Sequence, residues 1–324
     1  MGFVKDVDHG EAGCAQALPL GYWARVVRIA HMLDPRMALA GDNELARADA
    51  ICARWPRGGP APADVREADA LARARRLREA TYHPDTGRTI FAPLRLSFMV
   101  PMNLTVDTAM ILAATRANPA WSVLAQAANQ TYNAFHFYAN RNGTHTDSAA
   151  QRVAAYALAT ASSVTAAVSI QSLGPPGSIA RAIAPWTAVC VANALNLPTV
   201  RASEWLAGVE VRDADDGAPC GLSRVCGAYA VGVCVVSRVT AATPTLVVPP
   251  LVLRAIEARR GAPLPQAARL PLLLGLIGAN MCCGVPLVFG LFAQSSTLPG
   301  AWCEATVRRP DGRRPVEVTF NRGL

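Results

Sequence analysis

Hydrophobic and polar positions divide the chain into a charged first part, residues 1–95, and a largely apolar remainder. From Asn43 to Trp55, and again from Asp64 to Tyr82, charged residues alternate with Ala and Leu at helical spacing, and a segment rich in Pro and Gly separates the two stretches. This pattern predicts two amphipathic helices joined by a rigid linker. Asp64 is expected to cap the second helix, whose charged side would face solvent or lipid headgroups.

Long apolar runs bounded by arginines dominate the chain after residue 95. A helix of about 20 residues is long enough to cross the hydrocarbon core of a bilayer. The pattern therefore predicts an all-α, multi-span membrane protein with about five transmembrane helices. We expect an N-terminal soluble or interfacial helical region at 1–95, a helical membrane domain at 96–303 and a C-terminal tail at 304–324. The five runs lie at 96–115, 153–173, 182–200, 225–253 and 270–293.

Two further stretches lie outside these runs. Residues 117–140 contain no charged side chain, and their length permits a transmembrane helix. Their polar residues also permit a helix that lies at the interface or dips partway into the bilayer. Residues 204–224 are polar, and we expect them to form an exposed loop with a turn at 212–217.

The uncharged stretch carries a row of polar side chains. Asn129, Asn133, His136 and Asn140 follow one another at i, i+4, i+7 and i+11, which places them on one face of a helix. Amides donate and accept hydrogen bonds without the desolvation cost of a buried ion, so this face suits a polar ligand in an apolar surround. The alternative is that the amides bond to neighbouring helices and only hold a bundle together.

Other polar groups interrupt the apolar runs. Asn103 and Asp107 are one helical turn apart, and a carboxylate in a membrane helix is a functional candidate because it requires a cavity or a partner. Of these two residues we favour Asn103. Asn193 lies near Pro198, and a proline beside amides is typical of the broken helices of transporters, although the amides could equally serve only to satisfy the break.

Arg238 lies in the middle of the apolar run 225–253. A guanidinium group stays charged and must be paired, hydrated or extended to the interface. Arg238 is therefore the strongest single candidate for binding a carboxylate. The alternative is that it marks the end of a helix at the membrane edge.

Composition agrees with a membrane protein and narrows the chemistry. Hydrophobic residues make up 52% of the 324 residues and charged residues 17%, whereas soluble domains contain about 25% charged residues. The net charge of +8 arises largely at the edges of apolar runs, so we expect these arginines to contact the lipid bilayer and not nucleic acid.

The sequence contains no phosphate-binding glycine loop, no G-x-S-x-G elbow, no H-E-x-x-H motif and no Cys/His group at zinc spacing. We therefore expect no metal, no cofactor and no enzymatic activity. An intramembrane enzyme whose catalytic residues lie on different helices is the weaker alternative.

A turn motif, His83-Pro84-Asp85-Thr86-Gly87, closes the N-terminal region. Pro84 favours the turn and Gly87 can supply a positive φ, so the motif predicts a turn that holds the helical region against the membrane. The alternative is that His83 and Asp85 form a proton-sensitive or binding pair.

Several short motifs are distributed along the chain. They are His83-Pro84-Asp85-Thr86-Gly87, Val100-Pro101-Met102-Asn103-Leu104-Thr105, Asn129-Gln130-Thr131-Tyr132-Asn133-Ala134, Tyr138-Ala139-Asn140-Arg141-Asn142, Ala192-Asn193-Ala194-Leu195-Asn196-Leu197-Pro198, Val235-Val236-Ser237-Arg238 and Phe320-Asn321-Arg322-Gly323-Leu324. In order and approximate spacing this set resembles the sideroflexins, multi-span proteins of the mitochondrial inner membrane. One departure is Arg88, where the family usually carries an acid.

The resemblance implies a location and an activity. The protein is expected to lie in the mitochondrial inner membrane and to transport small neutral amino acids, serine foremost, through a polar site between helices. Arg238 would meet the carboxylate of the zwitterion, amides would meet its other polar groups, and rearrangements at Pro101, Pro198 and Pro244 would alternate access between the two faces. The candidate substrate-binding residues are Asn103, Asn129, Gln130, Asn133, Asn140, Asn193 and Arg238, and the motif residues His83, Pro84, Asp85 and Gly87 are expected to be structural.

A competing hypothesis comes from a different class of function. In it the protein is a non-transporting inner-membrane scaffold or assembly factor that affects iron or cofactor homeostasis through its N-terminal region.

Overall fold

The computed structural model describes residues 21–56, 62–83, 87–115, 119–140, 149–175 and 177–322. The N-terminal region forms α1 (Tyr22–Met32), α2 (Asp42–Arg54) and α3 (Val65–Thr81). The two predicted amphipathic helices are therefore confirmed as α2 and α3. Asp64 caps α3 as expected, because its side chain accepts a hydrogen bond from the backbone N–H of Arg66.

Backbone hydrogen bonds join the two sides of the turn predicted after α3. The N–H of His83 donates to the carbonyl of Arg88 at 2.8 Å, and the N–H of Gly87 donates to the carbonyl of His83 at 2.9 Å. Gly87 has φ +63°, a conformation that glycine adopts readily. Pro84 and Asp85 lie outside the described residues.

Helices account for most of the remaining chain. Among the described residues, four segments combine enough length with enough apolar character to cross a membrane: Leu96–Thr115, Val153–Leu173, Arg224–Arg260 and Gln266–Gly290. This confirms the class of multi-span helical membrane protein. The helices are α4 (Met99–Thr115), α5 (Pro119–Asn140), α6 (Ala149–Leu173), α7 (Ile179–Ala182), α8 (Ala184–Val200), α9 (Ala202–Leu206), α10 (Arg224–Leu246), α11 (Val248–Arg260), α12 (Gln266–Ala279) and α13 (Val285–Gly290), with a π-helical turn at Asn280–Gly284.

Two helices differ from those four segments. α8 coincides with the predicted run 182–200 but has 17 residues, somewhat fewer than the roughly 20 that cross a hydrocarbon core without adjustment. α5 is long but packs between α4 and α6 with its polar side inward. Its outward side carries exposed apolar residues such as Trp121 and Phe135, whereas Asn129 and Gln130 are buried. This sidedness suits a helix in contact with lipid, since a water-facing helix would show the reverse.

The N-terminal helix α1 is fastened to the last membrane helices. The hydroxyl of Tyr22 donates to the carbonyl of Leu287 at 3.1 Å, and Nε of Arg25 donates to the carbonyl of Gly290 at 2.9 Å. Leu33, directly after α1, belongs to the hydrophobic core that α4, α10, α12 and α13 form. The N-terminal region therefore contributes to the membrane domain.

A four-stranded antiparallel sheet replaces the exposed loop predicted at 204–224. β1 (Val209–Asp213) and β2 (Pro219–Ser223) form a hairpin, and β3 (Ser295–Pro299) and β4 (Glu317–Asn321) complete the order β2-β1-β4-β3. The predicted turn between β1 and β2 is present, with Gly217 at φ +71°. Val211 and Val318 are fully buried at 0% exposure, so the sheet has a hydrophobic core of its own.

Glu304 joins this sheet region to the start of α10. Its Oε1 accepts from the backbone N–H groups of Arg224 at 2.7 Å and Val225 at 3.1 Å, and its Oε2 accepts from the Ser223 hydroxyl at 2.7 Å. Burial raises the pKa of Glu304, but these hydrogen bonds outweigh burial and leave the pKa below its ordinary value. An anionic cap at a helix N-terminus is favourable because unpaired N–H groups point there.

Replacing Glu304 by alanine is expected to lower the free energy of unfolding by about 1.5–3 kcal/mol, the range for hydrogen bonds to a charged group. Because the folded pKa is lowered, the stabilisation is present above the unfolded pKa and is lost as pH falls through the folded pKa. Thermal unfolding of the detergent-solubilised protein across a pH series measures this. Glu210→Ala is the control, since it removes an exposed ion pair to Arg212 worth about 0–1 kcal/mol. Equal unfolding temperatures for the two variants would contradict the capping role.

Candidate functional site: a polar cavity between helices

A cavity of about 220 Å³ lies among the membrane helices. Residues of α4, α5, α6, α8, α10 and α13 line it, together with Leu33 from the N-terminal region. A single water needs roughly 10–15 Å³ of such space. The cavity therefore accommodates a small organic solute together with some water.

The polar lining converges from four helices. It includes every predicted candidate except Asn140. The predicted candidates in the lining, from Asn103 to Arg238, are separated by up to 135 positions in sequence, so the fold and not local spacing brings them together. The polar lining residues are Asn103 and Asp107 of α4, Asn129, Gln130 and Asn133 of α5, Asn193 and Asn196 of α8, and Arg238 and Thr245 of α10.

Asn140 lies outside the cavity lining and has a different role. Its Nδ2 donates to the carbonyls of Leu94 and His136, both at 2.8 Å. Phe137 and Tyr138 of the same helix still line the cavity, so the level of Asn140 along α5 does not by itself exclude it. Its amide is instead held by these two carbonyls. Its amide fastens the end of α5 to the segment before α4. His136, from the same face, is completely buried beside Tyr132.

Three of the amides that line the cavity are oriented from within their own helices. Nδ2 of Asn133 donates to Oδ1 of Asn129 at 3.1 Å, and Nδ2 of Asn103 donates to the carbonyl of Met99 at 2.9 Å. These bonds run within α5 and α4, so they do not tie one helix to another. They fix the side chains in place at the cavity wall.

Arg238 lies inside α10, eight residues before the helix ends at Leu246. This placement excludes the alternative that it marks a helix end. Cys234, one turn earlier, lies close to both Arg238 and Arg201. Arg201 is 8% exposed and pairs with Glu204 at 2.5 Å. The cavity therefore has a positive end, where Arg238 reaches the lining and Arg201 pairs with the carboxylate of Glu204.

The predicted helix break near Asn193 is absent. α8 continues through Pro198 to Val200. A proline in the last turn removes one backbone hydrogen bond close to where the helix ends anyway, so it does not unwind the preceding residues. Trp205 Nε1 donates to the Pro198 carbonyl at 2.9 Å. Asn193 and Asn196 therefore enter the cavity from regular helix.

Several lining residues were not predicted from the sequence. Thr245 follows Arg238 by seven positions, so the helical period gave a signal for it. The apolar wall gave no such signal. It comes from Met281 in the π-helical turn, from Val285 and Phe289 of α13, and from Leu33.

These features define a multi-span helical membrane protein with a polar cavity enclosed by its helices. The family model of the sideroflexins matches residues 20–324, and the chain belongs to the sideroflexin family. It is 32% identical to a sideroflexin of Saccharomyces cerevisiae over 317 residues, with 94% of each chain covered. It is 32% identical to sideroflexin-2 of Drosophila melanogaster, with 91% of this chain and 92% of the relative covered, and 31% identical to sideroflexin-2 of Bos taurus, with 94% of each covered. No solved structure matches the chain.

Proposed function

We propose that this protein transports small neutral amino acids, serine foremost, across the mitochondrial inner membrane. Family membership supports a mitochondrial transporter, and one cavity that gathers amides from α4, α5 and α8 around Arg238 of α10 is the observation that carries the proposal.

The chemistry of the lining fits a zwitterion with a hydroxyl side chain. The planar fork of an arginine pairs both oxygens of a carboxylate. Amides both donate and accept, so Asn103, Asn129 and Asn193 can satisfy a hydroxyl whichever way its proton points. The apolar wall lowers the local dielectric and strengthens these bonds.

Transport also requires that the cavity open to each side in turn. Pro244 of α10 lies inside the helical segment Arg224–Arg260, where a proline removes a backbone hydrogen bond of the helix, whereas Pro101 and Pro198 lie in the first turn of α4 and the last turn of α8, where the helices begin and end. Gly284 of the π-helical turn lies against Pro244, where an added Cβ would come within 2.9 Å of the proline Cβ. π-helical turns are frequent at functional sites. We assign alternating access to movements at these prolines and this turn.

Uptake of labelled serine into liposomes that contain the purified protein tests the proposal. We expect saturable uptake above that of protein-free liposomes. Ala242 lines the cavity, so Ala242→Leu places extra atoms in the space that the substrate would occupy. A clash with bound substrate of about 1–3 kcal/mol, the range for overpacking, should lower uptake roughly 5- to 100-fold. Ala228→Leu, at an exposed position of the same helix, should transport like wild type. Wild-type uptake no greater than that of protein-free liposomes would overturn the proposal.

A further inference from the structure

Asp107 is a buried carboxylate at the cavity wall. It is 4% exposed, lines the cavity from α4, and lies near Thr245 of α10, which lines the same cavity. Within the described part of the chain, no arginine, lysine or histidine forms an ion pair with it. A carboxylate in a membrane interior is costly unless a cation or a proton compensates it. The site therefore favours a positively charged group beside Asp107.

The position of Thr245 locates Asp107 relative to Arg238. Thr245 and Arg238 share one face of α10 and are seven residues apart, which corresponds to about 10 Å along the helix axis. Asp107 lies near Thr245, toward the end of α10. Cys234 and Arg201 lie near Arg238 on its opposite side, toward the start of α10. The cavity consequently has a negative end and a positive end, and the long arginine side chain can extend across part of the distance between them.

We propose that Asp107 holds the ammonium group of the substrate while Arg238 holds its carboxylate, so that the cavity selects molecules that carry both charges. This inference rests on the proposed function and adds a residue that determines specificity. A zwitterion places one charge at each end of the cavity, whereas an anion leaves the Asp107 carboxylate uncompensated and an amine leaves the guanidinium of Arg238 without its carboxylate. Asn103, one turn before Asp107 on α4, is in position for the remaining polar group.

Two analogues of serine separate the two charges. 3-Hydroxypropionate is serine without its amino group, and ethanolamine is serine without its carboxylate. Labelled serine and both labelled analogues are offered to liposomes with wild-type protein, Asp107→Asn or Arg238→Gln, and uptake by protein-free liposomes is subtracted. Ratios of substrates within one preparation are compared, so differences in the amount of folded protein cancel.

The wild type is expected to favour serine over both analogues. In Asp107→Asn the serine to 3-hydroxypropionate ratio should fall roughly tenfold or more, because a charged hydrogen bond to the ammonium is lost, while the serine to ethanolamine ratio stays unchanged. Arg238→Gln should show the opposite pattern. Asp215→Asn, an exposed acid in the β1–β2 turn, is the matched control and should keep both ratios.

An unchanged serine to 3-hydroxypropionate ratio in Asp107→Asn would overturn the role of Asp107. If the uptake of all three substrates also falls equally at equal amounts of folded, reconstituted protein, the carboxylate is assigned to a coupling cation. In both cases serine uptake by the wild type would still stand. Failure of the wild type to take up serine would instead overturn the proposed function together with this inference.

Discussion

Replacing Arg238 by alanine is expected to reduce serine uptake roughly 10- to 100-fold. A hydrogen-bonded charge contributes about 1.5–3 kcal/mol, and each 1.4 kcal/mol corresponds to about a factor of 10 in affinity. Arg238 reaches the cavity from the middle of α10, so its loss removes the guanidinium from the positive end of the cavity. Initial rates of serine uptake at equal amounts of reconstituted protein measure the effect.

Two further variants make this prediction specific. Arg238→Lys keeps the charge but lacks the two-pronged geometry, so its uptake should lie between those of wild type and Arg238→Ala. Arg224→Ala makes the same chemical change at the exposed first residue of α10 and should transport like wild type. Equal uptake by wild type and Arg238→Ala would remove Arg238 from the site.

Local pattern was sufficient to predict α2, α3 and the long apolar helices. Charge alternation gave α2 and α3, and the side-chain chemistry of Asp64 gave the cap of α3. Runs bounded by arginine gave the membrane helices, because both length and apolar character are properties of a continuous segment. The same period of 3.6 residues placed Asn129 beside Asn133 and Asn103 beside Asp107 on one side of a helix.

The helical period does not predict which residues of a polar face reach a cavity. It states which face of a helix a residue occupies, but not what that face meets in the folded protein. Asn140 shares the face of Asn129 yet lies outside the cavity lining and binds the carbonyl of Leu94. Asp107 and Thr245 lie on different helices, so their proximity follows from packing that no local pattern contains.

The sheet and the apolar wall depend on still longer separations. β1 pairs with β4, where Arg212 faces Thr319, and five-residue strands give too weak a pattern to be recognised individually. Leu33 reaches the cavity because α1 packs on α13. The π-helical turn that presents Met281 follows from tertiary contacts and has no sequence signature that we recognise.

Gly227→Ala is expected to destabilise the protein by about 3 kcal/mol or more, the upper part of the range for overpacking. Gly227 lies in the first turn of α10 against the backbone of α9, and an added Cβ would overlap the carbonyl oxygen of Glu204. A backbone atom cannot move aside by changing rotamer, so α9 and α10 would have to separate. Trp205 is adjacent to the contact, and tryptophan fluorescence during thermal unfolding in detergent reports the change.

Gly232→Ala provides the matched control on the same helix. An added Cβ at Gly232 has no atom within 4 Å among the described residues, and alanine has the higher helix propensity, so this variant should be more stable by about 0.5–1 kcal/mol. The two substitutions are chemically identical and differ in what surrounds the new methyl group. Opposite shifts in unfolding temperature would therefore identify the close approach of α9 and α10 as the cause. A shift of the same sign and size in both variants would show that this contact does not limit the stability of the fold.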